Sequence, residues 1–178
     1  MSRIGKLPVV LSDKVEVTLN GRDIKVKWPL WELSFTYSDK VEVVKEENNL
    51  IVNPLSSEAN ALWGTTRAVL NNMVIGVTEG YKKSLEIVWV GYKFEVQWDK
   101  LILSIGYSHK VEMAVPVGLK AELDEKNKNI LHFSWIDKQL VWEFAAKVRA
   151  KKKPEPYKGK WIKYVGEHIR RKAGKTGK

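Results

Sequence analysis

The side chains best suited to chemistry in this 178-residue sequence are lysines and arginines gathered at its C-terminal end. Residues 147–178 hold 13 Lys or Arg and two acidic residues, a net charge of +11, whereas the other 146 residues carry a net charge of −1. Such a one-signed run favours a polyanionic partner, since cations that neutralise phosphates release counterions. The alternative is a solvated basic terminus that aids solubility.

Tyrosines and glycines separate the lysines of this segment, and Pro154 and Pro156 interrupt it. Because proline excludes a helix, we predict an extended backbone that follows a phosphate chain while tyrosines stack on unpaired bases. The glycine-interrupted ending at 170–178 is predicted to be disordered when free and ordered by RNA. The residues predicted to contact RNA are Lys151, Lys152, Lys153, Tyr157, Lys158, Gly159, Lys160, Lys163, Tyr164, Arg170, Arg171, Lys172, Lys175 and Lys178.

Catalytic and metal-binding patterns are missing from the sequence. The three histidines, His109, His132 and His168, lie more than twenty residues apart and match no metal-ligand spacing. The sequence GYSHK at 106–110 has lysine where a nucleophile elbow needs glycine, and GKT at 174–176 lacks the earlier glycine of a phosphate-binding loop. We therefore predict no enzyme activity, no cofactor, no metal and no small-molecule substrate.

The composition narrows the class of protein further. There are no cysteines, which excludes disulfides and thiolate metal sites, and 44% hydrophobic residues are enough for a packed core. No apolar run approaches the ~20 residues of a membrane helix, and the N-terminus lacks the apolar stretch of a secretory signal. These features predict a cytosolic protein without a membrane partner.

Hydrophobic patterning in the first half predicts strands followed by a helix. Alternation predicts strands at 15–19 and 24–27, joined by a hairpin turn at 20–21, and a second strand pair at 35–44 and 50–52. A helix is predicted from an apolar stripe at helical spacing, formed by Leu70, Met73, Val74 and Val77.

The second half repeats that order. Asp137 is the predicted N-cap of a helix with Leu140, Val141, Phe144 and Val148 on one face. Strands are predicted at 92–96, 101–105, 111–115, 119–123 and 130–133. The sequence thus predicts an α+β fold of two tandem, duplicated small domains, each an antiparallel sheet covered by one helix, with a basic C-terminal extension. The predicted boundaries are 1–81, 82–150 and 151–178.

The sequence PEPYKGK at 154–160, followed by IKY at 162–164, resembles the signature of the bacterial large-subunit ribosomal protein L6 family. The likeness covers essentially the whole chain. Its further segments are residues 2–8, 64–68, 71–74, 91–92, 106–109, 136–139 and 170–178.

The resemblance implies two duplicated α+β domains and a structural role in the large ribosomal subunit, in the cytoplasm, without catalysis. It implies that the second domain and the tail bind large-subunit ribosomal RNA near the factor-binding region and the base of the stalk. Neighbouring large-subunit ribosomal proteins are the other expected partners. The alternative is a tandem protein-interaction module with a solubilising basic tail.

Tryptophan is unusually frequent, with 8 Trp against 6 Tyr and 4 Phe. Turns such as those at 28–31 and 97–100 favour a positive φ, which a bulky side chain resists. By resemblance, the family usually has glycine at Trp28, Trp31, Trp89, Trp98, Trp135, Trp142 and Trp161, though not at Trp63. We hypothesise that the source organism reads a reassigned stop codon as glycine at those seven positions. The alternative is evolved aromatic enrichment for stacking.

Overall fold

The computed structural model of the chain describes residues 2–175. The residues form two compact units: one runs up to Gly80 and includes Ile136–Lys138, and the other contains Tyr81–Trp135 and the chain from Gln139 onward. Helices and antiparallel sheets occur in both, which confirms the predicted α+β class and its duplication.

The first unit folds as two three-stranded antiparallel sheets and a helix. The elements are β1 (Val9–Val10), β2 (Glu16–Asn20), β3 (Asp23–Trp28), β4 (Trp31–Thr36), β5 (Val41–Glu46), β6 (Asn49–Pro54) and α1 (Asn60–Thr78). The strand orders are β1-β6-β5 and β2-β3-β4, and a 3-10 turn at Ser57–Ala59 leads into the helix. Each unit thus holds two small sheets, which is more elaborate than the single sheet expected.

Periodicity explains the core of this unit. Val17 pairs with Val26 across β2 and β3, and both are buried, whereas their neighbours Thr18 and Lys25 are exposed. The predicted stripe of α1 is buried, with Leu70 fully inaccessible to solvent. The helix stripe is therefore confirmed as core.

The second unit repeats the order and adds one strand. The elements are β7 (Tyr81–Val88), β8 (Lys93–Gln97), β9 (Lys100–Ser104), β10 (Val111–Ala114), β11 (Lys120–Leu123), β12 (Ile130–Trp135), α2 (Lys138–Lys151) and β13 (Trp161–Tyr164). Its sheets have the orders β10-β9-β8 and β11-β12-β7-β13. Helix α2 begins directly after Asp137, as predicted, and buries Val141, Phe144 and Val148.

One predicted strand was misplaced, and the strands β1, β7 and β13 were not predicted. The predicted strand at 35–44 spans the end of β4, a turn and most of β5, because the polar residues 38–40 form a turn in which the Val41 amide donates to the Ser38 carbonyl at 3.2 Å. Strand β7 was missed at the junction between the repeats. Strand β13 was also missed, since its lysine and flanking glycine resemble the rest of the basic tail.

Two tryptophans have a left-handed backbone, with φ of 50° at Trp98 and 84° at Trp161. The prediction for the 97–100 turn is confirmed, because Trp98 lies in the two-residue loop between the paired residues Gln97 and Lys100. The predicted turn at 28–31 is also confirmed, but the positive φ expected there was wrong. Trp28 and Trp31 pair at the end of the β3–β4 hairpin, and neither has a positive φ.

Candidate nucleic-acid interface

The segment after α2 closes into a short loop at 154–160. The Glu155 amide donates to the Lys160 carbonyl at 3.3 Å, and the Gly159 amide donates to the Glu155 carbonyl at 3.2 Å. The Lys158 amide donates to Glu155 Oε1 at 3.1 Å. The prolines exclude a helix here as predicted, but the predicted extended backbone was wrong for this stretch because these bonds fold it back. Buried Gly159, at φ 68°, provides the left-handed turn.

Strand β13 then joins the sheet of the second unit. Ile162 lies opposite Ile87 of β7, is fully buried, and donates its amide hydrogen to the Lys152 carbonyl at 3.1 Å. Burying one isoleucine side chain stabilises a fold by roughly 1.5–3 kcal/mol. The first part of the tail is therefore fixed to the folded unit.

An ion pair between Arg149 and Glu167, which we call the clamp, holds the residues that follow β13 against the end of α2. Glu167 accepts from Arg149 Nε at 3.1 Å, from Arg149 Nη2 at 2.5 Å and from the Tyr164 amide at 2.9 Å. The Arg149 hydrogen bond, helped by the Tyr164 amide, lowers the pKa of Glu167 below its ordinary value. About three quarters of each side chain of the ion pair is buried, so the clamp is shielded from solvent.

Two of the residues predicted to contact RNA, Lys163 and Tyr164, interact with other side chains of the second unit. Lys163 Nζ lies 2.7 Å from Glu86 Oε1 on β7. The partly buried Tyr164 ring has Lys83 Nζ 4.7 Å from its centroid and the Arg149 guanidinium at 5.4 Å. Lys163 and Tyr164 thus fasten β13 to its surroundings.

Most of the remaining cations face solvent, whereas Lys152 and Lys160 are half-buried, with Lys160 Nζ 3.4 Å from the Trp89 ring centroid. The Lys172 amide donates to the Pro156 carbonyl at 2.9 Å, which returns the 170–175 segment to the 154–160 loop. Tyr157, on that loop, is exposed. Seven cations are exposed and make no ion pair with any residue in 2–175: Lys151, Lys153, Lys158, Arg170, Arg171, Lys172 and Lys175. Lys178 lies outside the described residues.

Both acids of the segment have partners: Glu167 accepts from Arg149, and Glu155 accepts from the Lys158 amide. The outer surface therefore combines unpaired cations with one exposed tyrosine, a chemistry suited to phosphates and exposed bases. Sequence reasoning missed the clamp, whose partners are 18 residues apart. Its one signal was an acid isolated in a basic tail, together with an arginine in the last turn of a helix.

One other cluster has catalytic residue types. Ser84 Oγ lies 2.7 Å from His132 Nδ1, and His132 Nε2 lies 3.1 Å from Asp124 Oδ2. Ser84 and His132 are cross-strand neighbours on β7 and β12, and Asp124 also accepts from the Lys126 and Asn127 amides. Those bonds, the His132 bond first, lower the pKa of Asp124. The cluster ties the β11–β12 loop to the sheet.

Metal sites and membrane-spanning helices are not found among residues 2–175. No group of three or more His, Cys, Asp or Glu side chains in 2–175 is arranged to hold a metal ion. No helix among these residues combines the length and apolarity needed to span a membrane.

Comparisons with known proteins agree with this arrangement. The family model of "Ribosomal protein L6" matches residues 12–80 and 89–165. The chain is 51% identical to large ribosomal subunit protein uL6 of Picosynechococcus sp., over 100% of this chain and 99% of the relative. It is 48% identical to uL6 of Listeria welshimeri and 47% identical to uL6c of Guillardia theta, each over 100% of this chain and at least 99% of the relative. The chain belongs to the ribosomal protein L6 family and is a structural, non-enzymatic constituent of the large ribosomal subunit.

Proposed function

We propose that the chain binds large-subunit ribosomal RNA mainly through its second unit and its C-terminal tail, and thereby supports the factor-binding region and the base of the stalk. The observation that carries the proposal is the set of seven exposed, unpaired cations on a tail whose base is fixed by β13 and the Arg149–Glu167 clamp. The location within the subunit is what the family resemblance implies.

The folded base matters because it holds cations from distant parts of the tail near each other. Lys158 lies in the loop whose Pro156 carbonyl accepts from the Lys172 amide, so these two residues are close in space although 14 apart in sequence. Cations held in place before binding lose less conformational entropy when they meet phosphates. Each phosphate they neutralise strengthens the dependence of affinity on salt.

A charge-neutralised full-length variant tests the proposal. The variant replaces four exposed tail cations, Lys158, Arg170, Arg171 and Lys172, with glutamine. Its matched control replaces four exposed first-unit cations, Lys14, Arg22, Lys40 and Lys45, with glutamine. Filter binding to large-subunit ribosomal RNA over a salt series gives the affinity and the slope of log K against log salt for each protein.

If the four tail cations contact phosphates, the tail variant loses roughly 3–4 from the magnitude of that slope, whereas the control keeps the wild-type slope. Equal losses in both variants would mean that total charge, not the tail, determines binding. RNA affinity that ignores ionic strength in the wild-type protein would overturn the proposal and favour the tandem protein-interaction module.

A further inference from the structure

A small pocket lies beside the beginning of the tail, between residues 90–92 and the loop at 104–110; we name it the loop pocket. Its volume is about 210 Å³. That is below the range of sites for drug-sized ligands and is closer to the size of one base or sugar. All of its lining residues belong to the second unit.

The wall of the loop pocket is fixed by close packing. Gly106 has φ 75°, and a Cβ at that position would lie 2.5 Å from the Tyr92 hydroxyl. The loop therefore rests directly on Tyr92 and accepts no side chain at this point. The hydroxyl of Tyr107 also donates to the Lys151 carbonyl at 3.0 Å, which ties the loop to the end of α2.

Two aromatic rings line this pocket, and a cation outside the lining lies beside one of them. The rings of Tyr107 and His109 are nearly parallel, at 15°, with centroids 6.1 Å apart, and Tyr107 is 47% exposed. Lys152 Nζ lies 4.5 Å from the Tyr107 centroid and has no ion-pair partner in 2–175. The other lysine at the pocket, Lys110, is already paired with Glu95 at 3.4 Å.

We propose that the loop pocket holds one unpaired nucleotide of the RNA that the tail binds. The base or ribose lies against Tyr107 and His109, and its phosphate lies at Lys151 and Lys152. Exposed aromatic faces beside unpaired cations are how proteins hold single-stranded nucleotides, because every base offers a face for stacking. This inference rests on the proposed function, and it adds a contact outside the basic tail.

Substitutions at Tyr107 in the full-length protein separate stacking from the structural hydrogen bond. Tyr107→Phe keeps the ring and removes the bond to the Lys151 carbonyl, whereas Tyr107→Ala removes both. Filter binding to large-subunit ribosomal RNA should show a roughly tenfold higher Kd for Tyr107→Ala and a clearly smaller rise for Tyr107→Phe, which keeps the ring but loses the bond that fixes the loop. Lys152→Ala should lower the salt slope by about one, whereas Tyr107→Ala should leave the slope unchanged.

A crosslinking measurement covers the case in which Tyr107→Ala unfolds the loop. Ultraviolet crosslinking of the wild-type complex, followed by trypsin digestion, should attach a nucleotide to the peptide of residues 101–110. Equal losses of affinity in both Tyr107 variants would overturn the inference, as would an uncrosslinked 101–110 peptide in a complex whose tail peptides do crosslink. If the wild-type protein binds RNA without any salt dependence, the proposed function fails as well, so the two failures are distinguishable.

Discussion

Replacing Trp98 or Trp161 with glycine should stabilise the protein, although most substitutions destabilise. Among residues 2–175, only Glu47, Trp98 and Trp161 are non-glycine residues with positive φ. A left-handed backbone costs an L-residue roughly 1–2 kcal/mol, and glycine avoids that cost. The φ of 84° at Trp161 lies beyond the usual left-handed region near +57°, so its cost is at the upper end.

Neither tryptophan side chain belongs to the buried core, so neither contributes enough packing to offset the backbone strain. Trp98 is 100% exposed, so its removal loses no packing, and Trp98→Gly should raise the free energy of unfolding by about 1 kcal/mol. The Trp161 ring has Lys152 Nζ 4.8 Å from its centroid, an interaction of about 0.5–1 kcal/mol. Trp161 is also half-buried, so Trp161→Gly loses some packing and should gain less than Trp98→Gly, about 0.5 kcal/mol or less.

Urea denaturation followed by far-UV circular dichroism measures both variants without relying on tryptophan fluorescence. The double variant should also melt roughly 2–6 °C higher than wild type. The control is Leu30→Gly, another highly exposed turn residue but without positive φ, which should lose about 0.5–1 kcal/mol. If Trp98→Gly and Trp161→Gly destabilise as much as this control, the argument from backbone strain is refuted.

The same positions bear on the hypothesis of a reassigned stop codon. Two of the seven tryptophans at which the resemblance implies glycine have a backbone that favours glycine. Protein isolated from the source organism should then be lighter than its tryptophan-containing sequence by seven times the mass difference between the two residues. Peptides with tryptophan at Trp28 and Trp31 would contradict the hypothesis, and tryptophan at Trp98 would do so equally.

Three further predictions concern the tail. Glu167→Gln should lower the free energy of unfolding by about 1.5–3 kcal/mol in urea denaturation, whereas Glu155→Gln, which loses one exposed hydrogen bond, should cost less. Arg149 lowers the pKa of Glu167 in the folded protein. The stabilisation by the Arg149–Glu167 clamp is therefore complete above the unfolded pKa of about 4.3, and it is lost as pH falls through the lower folded pKa. In Glu167→Gln, the free energy of unfolding should depend less on pH in this acidic range. Truncation of 170–178 should change the free energy of unfolding by less than about 0.5 kcal/mol but weaken salt-dependent RNA binding. By contrast, Ile162→Ala should lower the free energy of unfolding by roughly 2–4 kcal/mol, because the side chain is fully buried.

Local periodicity predicted most of the elements. The stripe of Leu70, Met73, Val74 and Val77 and the alternation around Val17 and Val26 depend on neighbours a few residues away, and both are buried. Charge asymmetry likewise predicted which end of the chain carries the exposed cations. These signals are read within one element, so tertiary contacts alter them little.

The parts that sequence reasoning missed depend on distant partners. Ile162 is an apolar residue in a run of lysines, and only its pairing with Ile87, 75 residues earlier, makes it core. The predicted phosphate contact of Lys163 remains a prediction, yet the structure gives its charge a partner at Glu86 that no local pattern indicates. The spacing of residue types within a local segment does not indicate which distant strand that segment will pair with.

Net charge alone therefore does not explain why the cations of the tail lie close together. Like charges near a surface repel one another, by about 1 kcal/mol or less per pair in high dielectric, so an unanchored lysine run spreads out. Here the burial of Ile162, worth roughly 1.5–3 kcal/mol, and the Arg149–Glu167 clamp, worth a similar amount, outweigh that repulsion and keep Lys158 beside the 170–172 segment. Buried Ile162 and the Arg149–Glu167 clamp are thus what holds the tail's cations in place for an anionic partner.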